Sequence, residues 1–419
     1  MKRRIITALL LITSFVHTGC SLQTVQSRSD TVQIHAKELT KDAGTGINLD
    51  YSRQSMDPVW KFAYQLLAYN MEETNPVFSP VSAYIALSMA GNGAEGKTKQ
   101  EFSNALGADM MCIPDTLMKT LPQKDENLKL TMANSAWIDE SFTAKKEWLG
   151  TMRSLFDARV YQADLDTKKT MKDINVWVSK NTNKMIPELL NQPLKSSTKL
   201  ALINTVYFRA DWMQQFDAQS TSDGIFHMDD GTQTKASMMH ALHEDCDYLK
   251  DDTAEGVILP YKNSRYAFAA VKPLGKESIR EWLEAYSYKK LNRLIKKAKK
   301  EDVSLGLVKF TAKSKKELND SLKEMGIRQA FDAGKADFSS LGKTKDGQNL
   351  YISLVLQEAV IKTGEKGTEA AAATIVEADG GGAAQMHTFL PVTFDRPFLY
   401  MILDMDNHVP VFIGILEKP

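Results

Sequence analysis

Between Glu365 and Met386 the chain reads EKGTEAAAATIVEADGGGAAQM, and the chemistry this stretch offers is conformational. Thr368, Ala370, Ala372, Thr374, Val376 and Ala378 are small or apolar, whereas Glu369, Glu377 and Asp379 fall on the other parity. Such period-two alternation suits a strand with one buried face. Glu369-Ala370-Ala371-Ala372-Ala373 is also a strong helix former, and Gly380-Gly381-Gly382 suits an exposed loop. From these residues alone two readings stay open: a short alanine helix leading into a linker, and an element that switches between loop and strand.

Groups suited to bond-making chemistry are sparse. His240 and His243, close to Cys246, have a spacing that would fit metal ligands on one helical face. The turn and strand signals around them argue against a helix, so no metal site is expected. The sequence contains no G-x-S-x-G elbow, P-loop, HExxH or post-strand GxGxxG. An enzyme therefore has no positive support, and no cofactor is implied. Cys20 follows His17-Thr18-Gly19 at the end of an apolar run, Ile5 to Val16, that is preceded by Lys2, Arg3 and Arg4. That run is too short for a permanent membrane span. A small residue directly before a cysteine resembles a bacterial lipoprotein processing site, with a simple secretory signal as the second reading. Either way the mature chain is expected outside the cytoplasm. A lipidated Cys20 would anchor it to a membrane surface, at the cell exterior or in the periplasm.

The elements that must position the switch segment belong to an ordinary globular chain. Of 419 residues, 43% are hydrophobic and 25% charged, and the net charge is zero, so no nucleic-acid partner is indicated. The basic run Lys289 to Lys300 carries leucines and isoleucine at helical spacing and reads as a solvated helix face. Cys112 and Cys246 could pair in an oxidising compartment or stay as buried thiols. Residues 1–19 read as the signal, 20–56 as a flexible polar tether, and 57–419 as one folded domain. Order is expected to begin at Asp57-Pro58, with Asp57 as N-cap. Helices are expected from Ser79-Pro80 to Gly91, over Lys97 to Leu106, from Ile174 toward Asn183, and over Lys316 to Met325, stopped by Gly326. Ala201 to Phe208 reads as a buried strand, Phe226 to Met239 as a hairpin, and Phe398 to Leu416 as a buried hairpin turning at Asp404 to His408. Helices early and strands late point to an α+β domain.

Several motifs then occur in a fixed order. Asn75-Pro76-Val77-Phe78-Ser79-Pro80-Val81-Ser82 comes first, followed by Ile174-Asn175-Val176-Trp177-Val178 with Thr182-Asn183-Lys184-Met185-Ile186. Next are Leu202-Ile203-Asn204-Thr205-Val206-Tyr207-Phe208 with Asp211-Trp212 and Phe216. Met325-Gly326-Ile327, Ala330-Phe331, Ala336-Asp337-Phe338-Ser339 and Phe394-Asp395-Arg396-Pro397-Phe398 complete the series. Singly weak, together they resemble the serpin family over Asp57 to Pro419.

The resemblance implies helices packed around a large, mainly antiparallel central sheet, smaller sheets, and an exposed reactive loop at about 365–390. It implies a suicide-substrate inhibitor of serine or cysteine proteases, in which a cleaved loop inserts as a new strand while the protease is held as an acyl-enzyme. Glu365, Lys366, Gly367, Thr368, Glu369, Ala370, Ala371, Ala372 and Ala373 match the hinge of inhibitory members. Trp212 matches the breach. Ser79, Ser82 and Asn204 match the shutter, where Gln357 stands in place of the usual histidine. Counting from the hinge puts the scissile bond at Gly381-Gly382, and counting back from Phe394 puts it at Met386-His387. No Lys or Arg occurs from Gly367 to Asp395, which favours elastase-like, subtilisin-like or papain-like targets over trypsin-like ones. A monomer is expected. The alternative is a non-inhibitory binding or scaffold protein on the same fold.

Overall fold

The computed structural model describes residues 34–41, 49–51, 55–345, 347, 349–368 and 388–419. Helices α1 (Asp57–Ala68), α2 (Pro80–Gly91), α3 (Gly96–Leu106), α4 (Cys112–Thr120) and α5 (Lys146–Phe156) precede most of the sheet. Helices α6 (Lys168–Asn181), α7 (Ile279–Ala285), α8 (Tyr288–Lys296) and α9 (Asn319–Glu324) are interspersed among the strands. The main sheet has the order β1 (Lys37–Glu38), β6 (Arg159–Ala163), β4 (Leu128–Asp139), β7 (Leu200–Asp211), β16 (Gly367–Thr368), β15 (Leu354–Gly364), β13 (Phe310–Glu317), with β3 (Gln123–Lys124) beside β4. The second sheet runs β17 (Leu390–Phe394), β12 (Lys299–Val308), β9 (Gln233–Lys250), β10 (Ala254–Pro260), β11 (Tyr266–Pro273), β18 (Phe398–Asp404), β19 (Val409–Leu416), β2 (Val77–Phe78), with β8 (Thr221–His227) on β9. A small pair joins β5 (Phe142–Ala144) to β14 (Gly342–Thr344). The architecture is α+β.

The switch region depends on layering. All twelve residues of α2 are buried, because this alanine-rich helix packs against both β7 and β19. On the opposite face of the main sheet, Ile174, Trp177 and Val178 of α6 form a second apolar cluster with Trp137, Tyr161, Ala201, Ile203 and Leu356. Strand β7 therefore has a helix on each face. That explains why Ala201 to Phe208 reads as a nearly unbroken apolar run rather than an alternating one.

Three expectations are corrected. Residues 34–41 do not behave as tether: Lys37 and Glu38 pair with Gln162 and Tyr161 of β6. The Asp173 carboxylate on α6 accepts the backbone N–H groups of His35 (3.0 Å) and Ala36 (2.8 Å). Ile34 and Ala36 lie against the α6 cluster, and Thr40 is fully buried. Asp57 is the first residue of α1 rather than its cap, which is Met56, and the Asp57 side chain instead accepts from the Tyr288 hydroxyl (3.2 Å). Finally, Lys316 and Glu317 belong to β13, whose ladder with β15 runs on to Leu356. Helix α9 is consequently confined to Asn319–Glu324. Cys112 and Cys246 are separate buried thiols; burial pushes their pKa values up to about 11 and about 12.

Candidate functional site

The geometry of interest starts where β15 ends. Glu365 and Lys366 turn the chain, and Gly367 and Thr368 come back as β16. This short strand lies between β15 and β7 and is antiparallel to both. Lower in the sheet, β15 and β7 pair directly and in parallel, with Leu354–Leu356 against Ala201–Ile203. Gly367 and Thr368, expected in an exposed loop, are thus already part of the sheet, with Glu365 and Lys366 as the turn that leads into it. Gly367 makes this possible. Its φ is +156°, and a Cβ there would stand 2.0 Å from the Ala210 carbonyl oxygen, so only glycine fits.

Each turn residue is held by a specific partner. The Trp212 indole donates to the Gly364 carbonyl (2.8 Å), its backbone N–H to the Lys366 carbonyl (2.8 Å), and the Phe216 N–H to the Glu365 carbonyl (2.9 Å). Thr368 is 1% exposed, and its hydroxyl shares a 2.6 Å hydrogen bond with Tyr261. The Tyr261 ring stacks on Trp212 at 4.7 Å, and burial raises its pKa strongly. Burial also pushes the Glu365 carboxyl upward, but hydrogen bonds from Lys309 (2.9 Å) and Thr221 (3.2 Å) outweigh this and hold it below the usual carboxylate range.

The second group of residues lies lower, between the sheet and α2. Gln357 exchanges two hydrogen bonds with the backbone of Ser79, accepting from its N–H (3.0 Å) and donating to its carbonyl (2.9 Å). The Ser79 hydroxyl donates to the Val411 carbonyl (2.9 Å). Glutamine therefore joins the main sheet to the start of α2 and, through Ser79, to β19. Asn204 takes no part in that link. Its amide N–H₂ donates to Asn134 on β4, while its Oδ1 and the Ser82 hydroxyl are buried without partners. The structure thus joins Ser79 to Gln357 but leaves Ser82 and Asn204 out of one connected network.

Glu369, Ala370, Ala371, Ala372 and Ala373, both candidate scissile bonds (Gly381-Gly382 and Met386-His387) and Cys20 lie outside the described residues. Sequence reasoning missed Tyr261, Lys309, Thr221 and Asn134. The first three come from β8 and from residues that border β10 and β13, far from the hinge in sequence, and none forms a motif. His240 and His243 fall three apart on strand β9 and so on opposite faces. His243 is buried edge-on against Phe216.

Comparison with known proteins agrees with this geometry. Residues 59–419 match the family profile "Serpin (serine protease inhibitor)". An uncharacterised serpin-like protein of Methanosarcina acetivorans is 30% identical over 366 residues, covering 83% of this chain and 82% of its own. The thermophilic serpin tengpin in its native state is 32% identical, with a TM-score of 0.84 over 92% of this chain and all of that one. The latent state of tengpin, also 32% identical, superposes less well: its TM-score is 0.74 over 90% of this chain and 99% of that one. A strand threaded antiparallel between two parallel neighbours, with the motif order leading to it and a profile match spanning the whole folded region, makes this chain a member of the serpin family.

Proposed function

We propose that the protein is an exported, suicide-substrate inhibitor of serine endopeptidases, and of cysteine endopeptidases with similar primary pockets. The observation that carries this reading is the placement of Gly367 and Thr368 between β15 and β7. A parallel pair is less stable per residue than an antiparallel one. A longer strand in this position would replace one parallel ladder by two antiparallel ones. Pairing about fourteen residues at about 1 kcal/mol net per bond stabilises the inserted form by roughly 14 kcal/mol. The small inward side chains contribute about 6 kcal/mol at most. Backbone pairing is the driving term, and the side chains serve by not obstructing entry; no proline interrupts Leu341 to Leu390.

The loop is cleaved at Gly381-Gly382 or at Met386-His387. With small or unbranched residues there and no cation nearby, elastase-like, subtilisin-like and papain-like enzymes are the expected targets. Cys20 is the proposed lipid attachment point; loss of palmitate labelling in Cys20→Ser tests it.

The decisive experiment mixes the mature chain with pancreatic-type elastase, subtilisin and papain. An SDS-resistant complex with at least one of them is expected. Clean loop cleavage by all three without any complex would overturn the reading in favour of a binding or scaffold role. Thr368→Arg should behave as a plain substrate, because a cation in the closed space beside Tyr261 costs several kcal/mol. Complex formation by this variant at wild-type yield would remove the hinge from the mechanism.

A further inference from the structure

The basic run from Lys289 to Lys300 has no part in the hinge. Its first portion forms α8, capped by Ser287, whose side chain accepts the Lys290 N–H (3.3 Å). Leu291, Leu294 and Ile295 are buried where α8 packs on α1 and β9. Lys289, Lys290, Arg293, Lys296 and Lys297 are exposed, as are Lys299 and Lys300 at the start of β12. At about 100° per residue, the five cations of the helix and its C-cap fall within an arc of about 120°. They make a face about 13 Å long rather than a single line of charge.

Local stability does not account for this face. Cations suit the last turn of a helix, which covers Arg293 and Lys296. Lys289 and Lys290 stand in the first turn, where the helix dipole opposes positive charge and where α8 has no acidic residue. Their ammonium groups lie over the rings of Tyr288 (5.9 Å) and Tyr286 (5.7 Å), which orders them without neutralising them. Among the described residues, Lys300 is the one of the seven cations in an ion pair, with Asp247 (2.9 Å). No Asp or Glu interrupts the run from Lys289 to Lys300, and the whole chain has zero net charge. The concentration of charge is therefore not a by-product of a basic composition.

We infer that the exposed face of α8, continued by Lys299 and Lys300, docks on an anionic phospholipid surface. The inference rests on the lipid attachment proposed for Cys20. A single acyl anchor holds a protein only marginally, and a polybasic patch is one of the second signals that make attachment stable. Lys and Arg near an anionic leaflet each add to the attraction, which fades within a Debye length, about 10 Å at 0.1 M salt. An arc of about 120° lets the five helix cations approach one plane together, whereas a linear polyanion would meet only a strip of it.

The test uses the mature chain carrying Cys20→Ser, so that no lipid at that position contributes. It is sedimented with vesicles of phosphatidylcholine alone, or with about one-third phosphatidylglycerol. Binding to the anionic vesicles only is expected, weakened at least tenfold when salt is raised from about 0.05 M to about 0.5 M. The triple change Lys289→Gln, Lys290→Gln and Arg293→Gln should weaken it at least tenfold. Removing three exposed cations from α6 instead, by Lys168→Gln, Lys169→Gln and Lys172→Gln, should change it less than twofold. Equal loss in the two triple variants, equal binding to neutral vesicles, or no binding by the parent would overturn the inference. Retention of the parent on dextran sulfate without vesicle binding would overturn it in favour of a soluble polyanion. Palmitate labelling of the unmutated chain is a separate readout, so failure of the Cys20 anchor and failure of the basic face are told apart.

Discussion

At the residue scale, the hinge is fixed by a few polar contacts in an apolar setting. Tyr261→Phe leaves the Thr368 hydroxyl buried without its partner, at a cost of about 1–3 kcal/mol; urea unfolding followed by tryptophan fluorescence should show it. Gly367→Ala should be worse, because its Cβ would collide with backbone rather than with a side chain that can move. Acid should loosen the same region in two windows. Burial depresses the His243 pKa, so its stabilising contribution is present above about 6.5 and is lost as pH falls through the depressed value. Glu365, also depressed, contributes above about 4.3 and loses that contribution below it. Fluorescence of Trp212 against pH should show both steps, and Glu365→Gln should abolish the lower one; an unchanged lower step in that variant would refute the assignment. The start of the hinge, Gly367-Thr368, was legible in the sequence through the family motif it opens. The Tyr261 contact was not, since it joins residues 107 positions apart and a tyrosine beside a strand carries no mark of its partner.

At the element scale, the segment 34–41 behaves as a strap. It ties the outer strand β6 to α6 through Asp173, and to α5 through the Arg153 guanidinium, which donates to the Lys41 carbonyl (2.6 Å). Helix α6 in turn packs over β4, β6, β7 and Leu356 of β15, so it bridges the seam that the proposed insertion would have to open. Asp173→Ala removes the acceptor of two backbone N–H groups and should cost about 1–3 kcal/mol. Amide exchange should quicken in β6 and in the first half of α6; protection unchanged there would show the strap to be passive. The sequence did not reveal this element, because its ladder is two residues long and its flanks are polar. Strand β7 and the β18–β19 hairpin were legible for the opposite reason: their apolar runs are long and bounded by turn residues. The boundary between β13 and α9 was misplaced because Lys316 and Glu317 suit a helix locally and only the ladder to β15 makes them strand.

At the scale of the whole molecule, the resemblance carried by dispersed motifs gave the architecture, and the layering explains why those motifs are where they are. Ser79-Pro80 opens the helix buried between the two sheets, Trp177 lies on the far face, and Trp212 closes the top of the seam. Loop cleavage should raise the thermal midpoint by about 15 °C or more, given the pairing energy estimated above and the entropy of unfolding a domain this large. Calorimetry before and after limited proteolysis would measure it, and an unchanged midpoint would mean that the strand does not enter. The two-residue turn at Glu365-Lys366 also bears on how the chain reaches this state. Each further rung of β16 against β15 would be a contact between residues close in sequence, which forms fast, whereas β7 and β15 come together across some 150 residues, which is slow. The insertion proposed for this chain would make its native fold one maintained by a barrier rather than by its depth, so its apparent melting point would be a rate in disguise and should climb as the heating scan is made faster.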